Sequence, residues 1–247
     1  MTSSKIEALG EFYDSLVEVD ILLNQANAMA ALGTGTPLEN ETGRALANAS
    51  TRACVVMLVA HFEGFVKLAL TELIDSIREA KPPNRRVPDG LLEIMTRDRL
   101  VEIAACEGVE RSRRIRKLFT AYGPLWEDGR TINPALMSDR ILAKQLTNAR
   151  PETLDQVFVL LDVAGLTAGI QASLDSEAAS SGNGCAAFDV RMKLDEIVDR
   201  RNEIAHGDRD VKPTAVEVVE YINFLRDVAG AIATVVGERI RYCCSLG

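Results

Sequence analysis

The sequence predicts an all-α helical bundle. Three observations carry that expectation. Apolar residues recur at three- and four-residue steps over most of the chain, the spacing of one helix face. No segment alternates apolar and polar residues as a half-buried strand would. Proline, glycine and small polar residues cluster at intervals that separate the helical stretches. No internal repeat is present.

Ile6, Leu9, Tyr13, Leu16 and Leu23 place a first amphipathic helix over residues 4–32. "GTGTPLENETG" ends it and reads as a loop. A second long helix is expected from Arg44 to Ala80, apolar nearly all round in its middle and therefore central. The three prolines of "KPPNRRVPDG", residues 81–90, break the helical pattern. Residues 91–105 and 109–121 return to it, and "GPLWEDGRTINP" interrupts it again. Shorter helices are expected at 135–147 and 151–163, and a polar loop tip at "SSGNG", 180–184. A strong helix runs from Phe188 to about His206, with Gly207 just past its end. Pro213 is expected in the first turn of a last long helix, whose apolar face includes Val219, Ile222, Leu225, Ala229, Ile232 and Val236.

The 247 residues are read as one domain, 1–247, with a core over about 44–236. Residues 1–43 add an N-terminal helix and loop, and 81–133 are inserted helices and loops. A formal net charge of -8 excludes a protein that coats nucleic acid by bulk charge, though not one with a local basic groove. The five cysteines, Cys54, Cys106, Cys185, Cys243 and Cys244, form no C-x-x-C pair. With two histidines there is no zinc constellation, and reduced thiols in a cytoplasm are expected. The N-terminus carries acids early and does not read as a signal peptide. "CVVMLVAHFEGFVKLAL" is broken by His61, Glu63 and Lys67 and reads as too short and too charged for a membrane span.

The stretch that singles itself out is "RRNEIAHGD", residues 200–208. At about 100° per residue, Val190, Leu194, Ile197, Val198, Ile204 and Ala205 share one side of their helix, and Arg201 falls in the middle of it. A guanidinium stays charged and is costly to bury alone. This face therefore opens into a cleft, meets a carboxylate or faces a second molecule. His206 lies about 140° further round, on a stripe with Asn202 and Asp199. Two readings stand here. A histidine in the last turn followed by glycine is an ordinary helix stop. The same residues also suit a site that handles phosphate.

Arg201-Asn202-x-x-x-His206 resembles the R-x4–6-H motif of the HEPN superfamily. "ACVVMLVAHFEGFVK", residues 53–67, is similar to the A-H-[FW]-E-G-F segment of an early helix in its RiboL-PSP-like or MAE-type branch. "ETLDQVFVLLDVAGL", 152–166, looks like the short helix that precedes the motif helix there. The likeness covers about residues 44 to 236. It implies a HEPN-like bundle of long antiparallel helices that forms a homodimer. It further implies, for many members, a metal-independent endoribonuclease acting in toxin–antitoxin or anti-phage defence, with RNA as substrate and an antitoxin or regulatory protein as a possible partner. No cofactor is implied. Arg201, Asn202 and His206 are the residues carried over. Some members are inactive and bind nucleotide, RNA or protein instead.

The chemistry is consistent with those residue types. Metal-free RNA cleavage uses the substrate 2′-OH as nucleophile. It needs a base, an acid and positive charge on the phosphorane-like transition state. An imidazole serves as base or acid at neutral pH, and a guanidinium holds two phosphate oxygens at once. Asn202 can orient the imidazole or bind an oxygen. A two-fold dimer would bring two copies of Arg201 and His206 into one cleft. Glu63 either holds the Arg201 fork or pairs with Lys67 four residues on. Asp199 joins it as a supporting residue. Arg200, Arg111, Arg113, Arg114, Arg116 and Lys117 either track an RNA backbone or form a solvated helix face. His61 reads as a packed, hydrogen-bonded helix residue and Trp126 as a packing anchor in a loop. No Walker A loop, G-x-G-x-x-G, G-x-S-x-G or H-E-x-x-H occurs.

Overall fold

A computed structural model describes residues 6–31, 37–180 and 188–245. Among these residues the chain forms eight α-helices and no strand. The 181–184 part of the expected loop tip and Cys185 lie outside them.

Helices α1 (Glu7–Ala31) and α2 (Pro37–Ala80) form an antiparallel hairpin. The N–H groups of Glu7 and Ala8 donate to the Glu72 carboxylate, while the Cys54 thiol donates to the Val19 carbonyl. Partners thus run up one helix as they run down the other. Phe12, Leu16, Val19 and Leu23 recur on one face of α1 and are buried. Phe12 meets Phe62 and Phe65 of α2, with the Phe12–Phe65 ring centroids 5.4 Å apart. Each such side chain, fully buried, contributes about 1.5–3 kcal/mol.

At 44 residues, α2 is about 65 Å long. It begins at Pro37 rather than Arg44, because a proline at the first helical position lacks only an N–H that would have no helical partner. By length and composition the stretch Asn40–Ala80 could cross a membrane, contrary to the expectation from sequence. Half of its most apolar window is buried inside this fold, where Leu58, Phe62, Val66, Leu70 and Leu73 build the core.

A 3-10 turn at Asn84–Arg86 leads into α3 (Asp89–Ala104) and α4 (Gly108–Tyr122). The expected helix over 135–147 is absent. In its place stand short 3-10 turns at Pro134–Leu136 and Ala143–Gln145. Between them the Asp139 carboxylate accepts from the Arg140 N–H and the Ser138 hydroxyl, a local bonding pattern that competes with helix. α5 (Pro151–Val159) stops short of 163, since Asp162 and Gly165 take left-handed backbone angles of +57° and +63°. α6 (Leu166–Ser180) was not expected; its small polar residues leave only Leu166, Thr167, Ile170 and Leu174 buried.

α7 (Val190–Ala205) starts after Asp189, whose carboxylate accepts from the Met192 N–H. Its buried residues are Val190, Leu194, Ile197, Val198 and Ile204, while Ala205 is exposed. α8 (Ala215–Cys244) opens on a reciprocal cap between Thr214 and Glu217. Pro213 precedes the cap, outside the helix turn expected to contain it. The buried side chains form one contiguous cluster from Ile6 to Cys243.

Polar groups fix α7 against α8. The hydroxyl of the fully buried Tyr221 donates to Glu196 at 2.6 Å. Lys193 pairs with the other Glu196 oxygen at 3.0 Å and lies over the Tyr221 ring. Arg200 reaches Glu217 at 2.8 Å. Burial and the Glu196 carboxylate push the Tyr221 hydroxyl's pKa up. Glu217 is held below the usual carboxylate range by the Thr214 backbone N–H, with the Thr214 hydroxyl and Arg200 adding to it. Burial pushes Glu196 up, but the Tyr221 hydroxyl, Lys193 and Arg200 together carry it below that range.

Two outcomes follow from this packing. A Cβ on Gly90 would sit 2.7 Å from the Leu160 Cα, so backbone faces backbone where α3 begins. Gly90→Ala should therefore destabilise the fold by about 1–3 kcal/mol, read from the urea midpoint. The depressed carboxylates stabilise the folded state above the ordinary glutamate value of 4.5, and this is lost as pH falls through their lower folded values. Between pH 6 and pH 3 the wild-type urea midpoint should fall more than that of Glu217→Gln, which lacks the titrating group.

Candidate functional site at the end of α7

His206 is the C-cap of α7, and its position is set by backbone geometry. Gly207 adopts a φ of +90°, open to glycine and strained for other residues. Its N–H donates to the Ile204 carbonyl and the Asp208 N–H to the Glu203 carbonyl, both at 3.0 Å. This paired closure is a Schellman turn. The loop beyond it is held by α2, since the Arg52 guanidinium donates to the Asp208 and Val211 carbonyls. The other end of α7 is anchored through Arg191, which binds Asp155, Glu152 and the Thr167 hydroxyl. His206 therefore stands exposed on a turn fixed at both sides.

Arg201 meets a carboxylate, one of the options its place on an apolar face leaves open. Its Nη2 donates to both oxygens of Glu63 on α2, each at 3.2 Å. The Glu63 side chain is 13% exposed and that of Arg201 28%. Glu63 also accepts from the Ala149 N–H at 3.3 Å, which ties the segment before α5 to the pair. The Arg201 Nη1 donates to the Asn202 Oδ1 at 3.0 Å. No pairing of Glu63 with Lys67 occurs among the described residues.

An open depression of about 540 Å³ lies at this helix end. Asn202, His206 and Asp199 line it, with Arg150, Glu203, Gly207 and Asp208. Arg201 is not part of its wall; it stands behind Asn202 and turns toward Glu63. Asp199 forms an ion pair with Arg150, which also binds Asp195 at 3.2 Å. These carboxylates, Asp199 first, push the Arg150 guanidinium's pKa further up.

Arg150 and Arg52 were not singled out from sequence. Both lie far along the chain from what they bind. A signal for Arg150 exists: Asp195 and Asp199 stand four residues apart on α7 and leave a carboxylate stripe that needs a cation.

The remaining residues fall elsewhere. Arg200 is engaged by Glu217, Glu196 and the Tyr221 ring, and so is directed at α8. On α4, Glu110 holds Arg113 and Arg114, whereas Arg111, Arg116 and Lys117 have no carboxylate partner among the described residues. His61 faces α1: its Nε2 lies 3.4 Å from Glu18 and makes no hydrogen bond, unlike the hydrogen-bonded residue expected. Trp126 ends a 3-10 turn, Gly123–Trp126, and is 51% exposed; its neighbour Leu125 is the buried anchor. Cys54 and Cys243 are buried, which pushes both thiols up to about 11. Among the described residues no group of three His, Cys, Asp or Glu is placed to hold a metal ion.

With the motif helix, its glutamate and its clamped end in place, the sequence model of RiboL-PSP-HEPN matches residues 16–238. The chain belongs to the RiboL-PSP-HEPN family. The match begins inside α1, so this HEPN domain takes in most of the first helix as well as the 44–236 core expected from the motifs. No curated protein and no solved structure matches the chain.

Glu63→Ala would leave the Arg201 guanidinium partly buried without its carboxylate. The expected loss is about 1–3 kcal/mol of unfolding free energy. Glu63→Gln, which still accepts from Ala149 and Arg201, should recover part of it. Urea titration of the three proteins checks the order.

Proposed function

We propose that this HEPN domain is a metal-independent endoribonuclease, with Arg201, Asn202 and His206 as its working residues and a toxin or anti-phage role. The observation that carries the reading is the placement of the motif in a HEPN-family chain. His206 stands exposed on a fixed helix end, and Arg201 is positioned one turn behind it by Glu63. Glu63 occupies only Nη2 of the guanidinium. Nη1 is held by a neutral amide, which a phosphate oxygen displaces at lower cost than it would a carboxylate. His206 then takes the proton from the ribose 2′-OH, or returns one to the leaving 5′-oxygen. Each chain supplies one such imidazole at this end. A homodimer with the α7 ends facing across a two-fold axis would supply both proton-transfer groups and doubles the positive charge.

A second reading is favoured by the charge at the depression. Asp199, Glu203 and Asp208 line it against the single guanidinium of Arg150. Arg201 is already engaged by Glu63 and Asn202. That arrangement disfavours a polyanion and suits a catalytically silent domain that binds a protein partner, within the alternative of a nucleotide-, RNA- or protein-binding module.

The full chain incubated with RNA and with matched DNA in EDTA separates the two. The nuclease reading requires RNA cut, DNA spared and chelator ignored. His206→Ala should lower the rate by about 10²–10⁴-fold, and Arg201→Ala should abolish detectable cleavage. Light scattering on the active protein should give a dimer. A monomer that cuts RNA removes the shared site, and intact RNA under all conditions leaves the binding module.

A further inference from the structure

α4 is the exception to the acidic character of the chain. It carries Arg111, Arg113, Arg114, Arg116 and Lys117 against one carboxylate, Glu110, in a chain of net charge -8. It packs mainly on α3 and on the turn Gly123–Trp126, and so stands at the side of the bundle. Only Tyr122 of its residues is buried.

The two sides of α4 differ in charge. Toward α3 a hollow of about 550 Å³ is lined by Lys117 and by Arg99, Arg113 and Arg114, and these three arginines are paired with Glu102 and Glu110. On the outward side neither Arg111 nor Arg116 has a carboxylate partner among the described residues. Arg111, Ile115 and Phe119 follow one another at four-residue steps, with Arg116 one turn before Phe119. Lys117 belongs to the wall of the hollow, about 160° around the helix from Phe119. Arg111 and Arg116 stand about 7.5 Å apart along the helix axis, with Phe119 between them around it. Phe119 is 71% exposed beside them.

Free cations mixed with an exposed ring answer a particular chemistry. Cations alone suit any polyanion. A flat, uncovered ring among them adds a face on which an unpaired base stacks, while an acidic peptide has no such group to place there. We infer that the outer face of α4 binds single-stranded RNA, with Arg111 and Arg116 on successive phosphates and one base on Phe119. This rests on RNA being the substrate, and its test is read without cleavage.

The experiment measures binding of the full chain, carrying His206→Ala so that RNA stays intact, to a fluorescein-labelled oligouridylate by anisotropy. Log affinity should fall with log salt at a slope of about -1.4, from two single-strand phosphate contacts. Neutralising Arg111 and Arg116 to Gln should flatten that slope and weaken binding by about tenfold. Phe119→Ala should weaken it by about fivefold or more without changing the slope. All three side chains are exposed, so circular dichroism melting should be unchanged in the variants.

An acidic polypeptide, polyglutamate, is the competing ligand. The proposal is overturned if polyglutamate binds as tightly as RNA and Phe119→Ala has no effect, which would mark a protein-docking face. It is equally overturned if RNA does not bind, or binds the double variant unchanged. Cleavage by the wild type together with unaltered binding by the double variant would sink the α4 surface and leave the nuclease. Binding through α4 with no cleavage would do the reverse.

Discussion

The ion pair between Glu63 and Arg201 is the interaction on which the candidate site depends. Each partner explains the other. An arginine in the middle of the buried face of α7 is tolerable only where a carboxylate meets it, and a glutamate in the apolar middle of α2 is tolerable for the same reason. The pair joins two helices 138 residues apart in sequence. It also draws in the segment before α5 through Ala149. Three elements thereby converge on the Glu63 carboxylate, and through it fix the Arg201 guanidinium, whose Nη1 is left to the Asn202 amide. Such an arrangement holds a guanidinium in one orientation and so limits the rotamer entropy lost when it binds an anion.

Around that pair, the end of α7 is restrained from several directions. The Schellman turn sets where His206 leaves the helix. Arg52 binds the loop that follows, and Arg150 covers the carboxylates on the flank. Lys193, Glu196, Arg200, Glu217 and Tyr221 fix α7 against α8 on the opposite side. Arg200 and Arg201 are neighbours in sequence with different work. The first is directed at α8 and the second at α2, as the turn of about 100° between adjacent residues requires.

The long helices were legible because their apolar spacing is regular over many turns. Residues 4–32, 44–80 and 188–206 each mark a helix that the structure contains, with ends moved by a few residues where Pro37 or Asp189 decides the start. The candidate site was legible for a different reason, a short motif of fixed spacing. What sequence concealed lies at two extremes of range. Asp139 bonds its immediate neighbours and defeats a helix over 135–147, an effect too local for periodicity to register. Arg52 and Arg150 act on partners 156 and 49 residues away; the Asp195–Asp199 stripe marks the need for a cation but not which one answers it, and no local pattern announces the Arg52 contact. α6 escaped notice because its small polar residues dilute the apolar step.

The start of α1 is closed by a side chain from another helix. Glu72 receives the N–H groups of Glu7 and Ala8 across more than sixty residues of chain. The first turn of α1 is therefore completed only once both arms of the hairpin are paired, and whatever pulls the far end of α2 away leaves those two donors without their carboxylate.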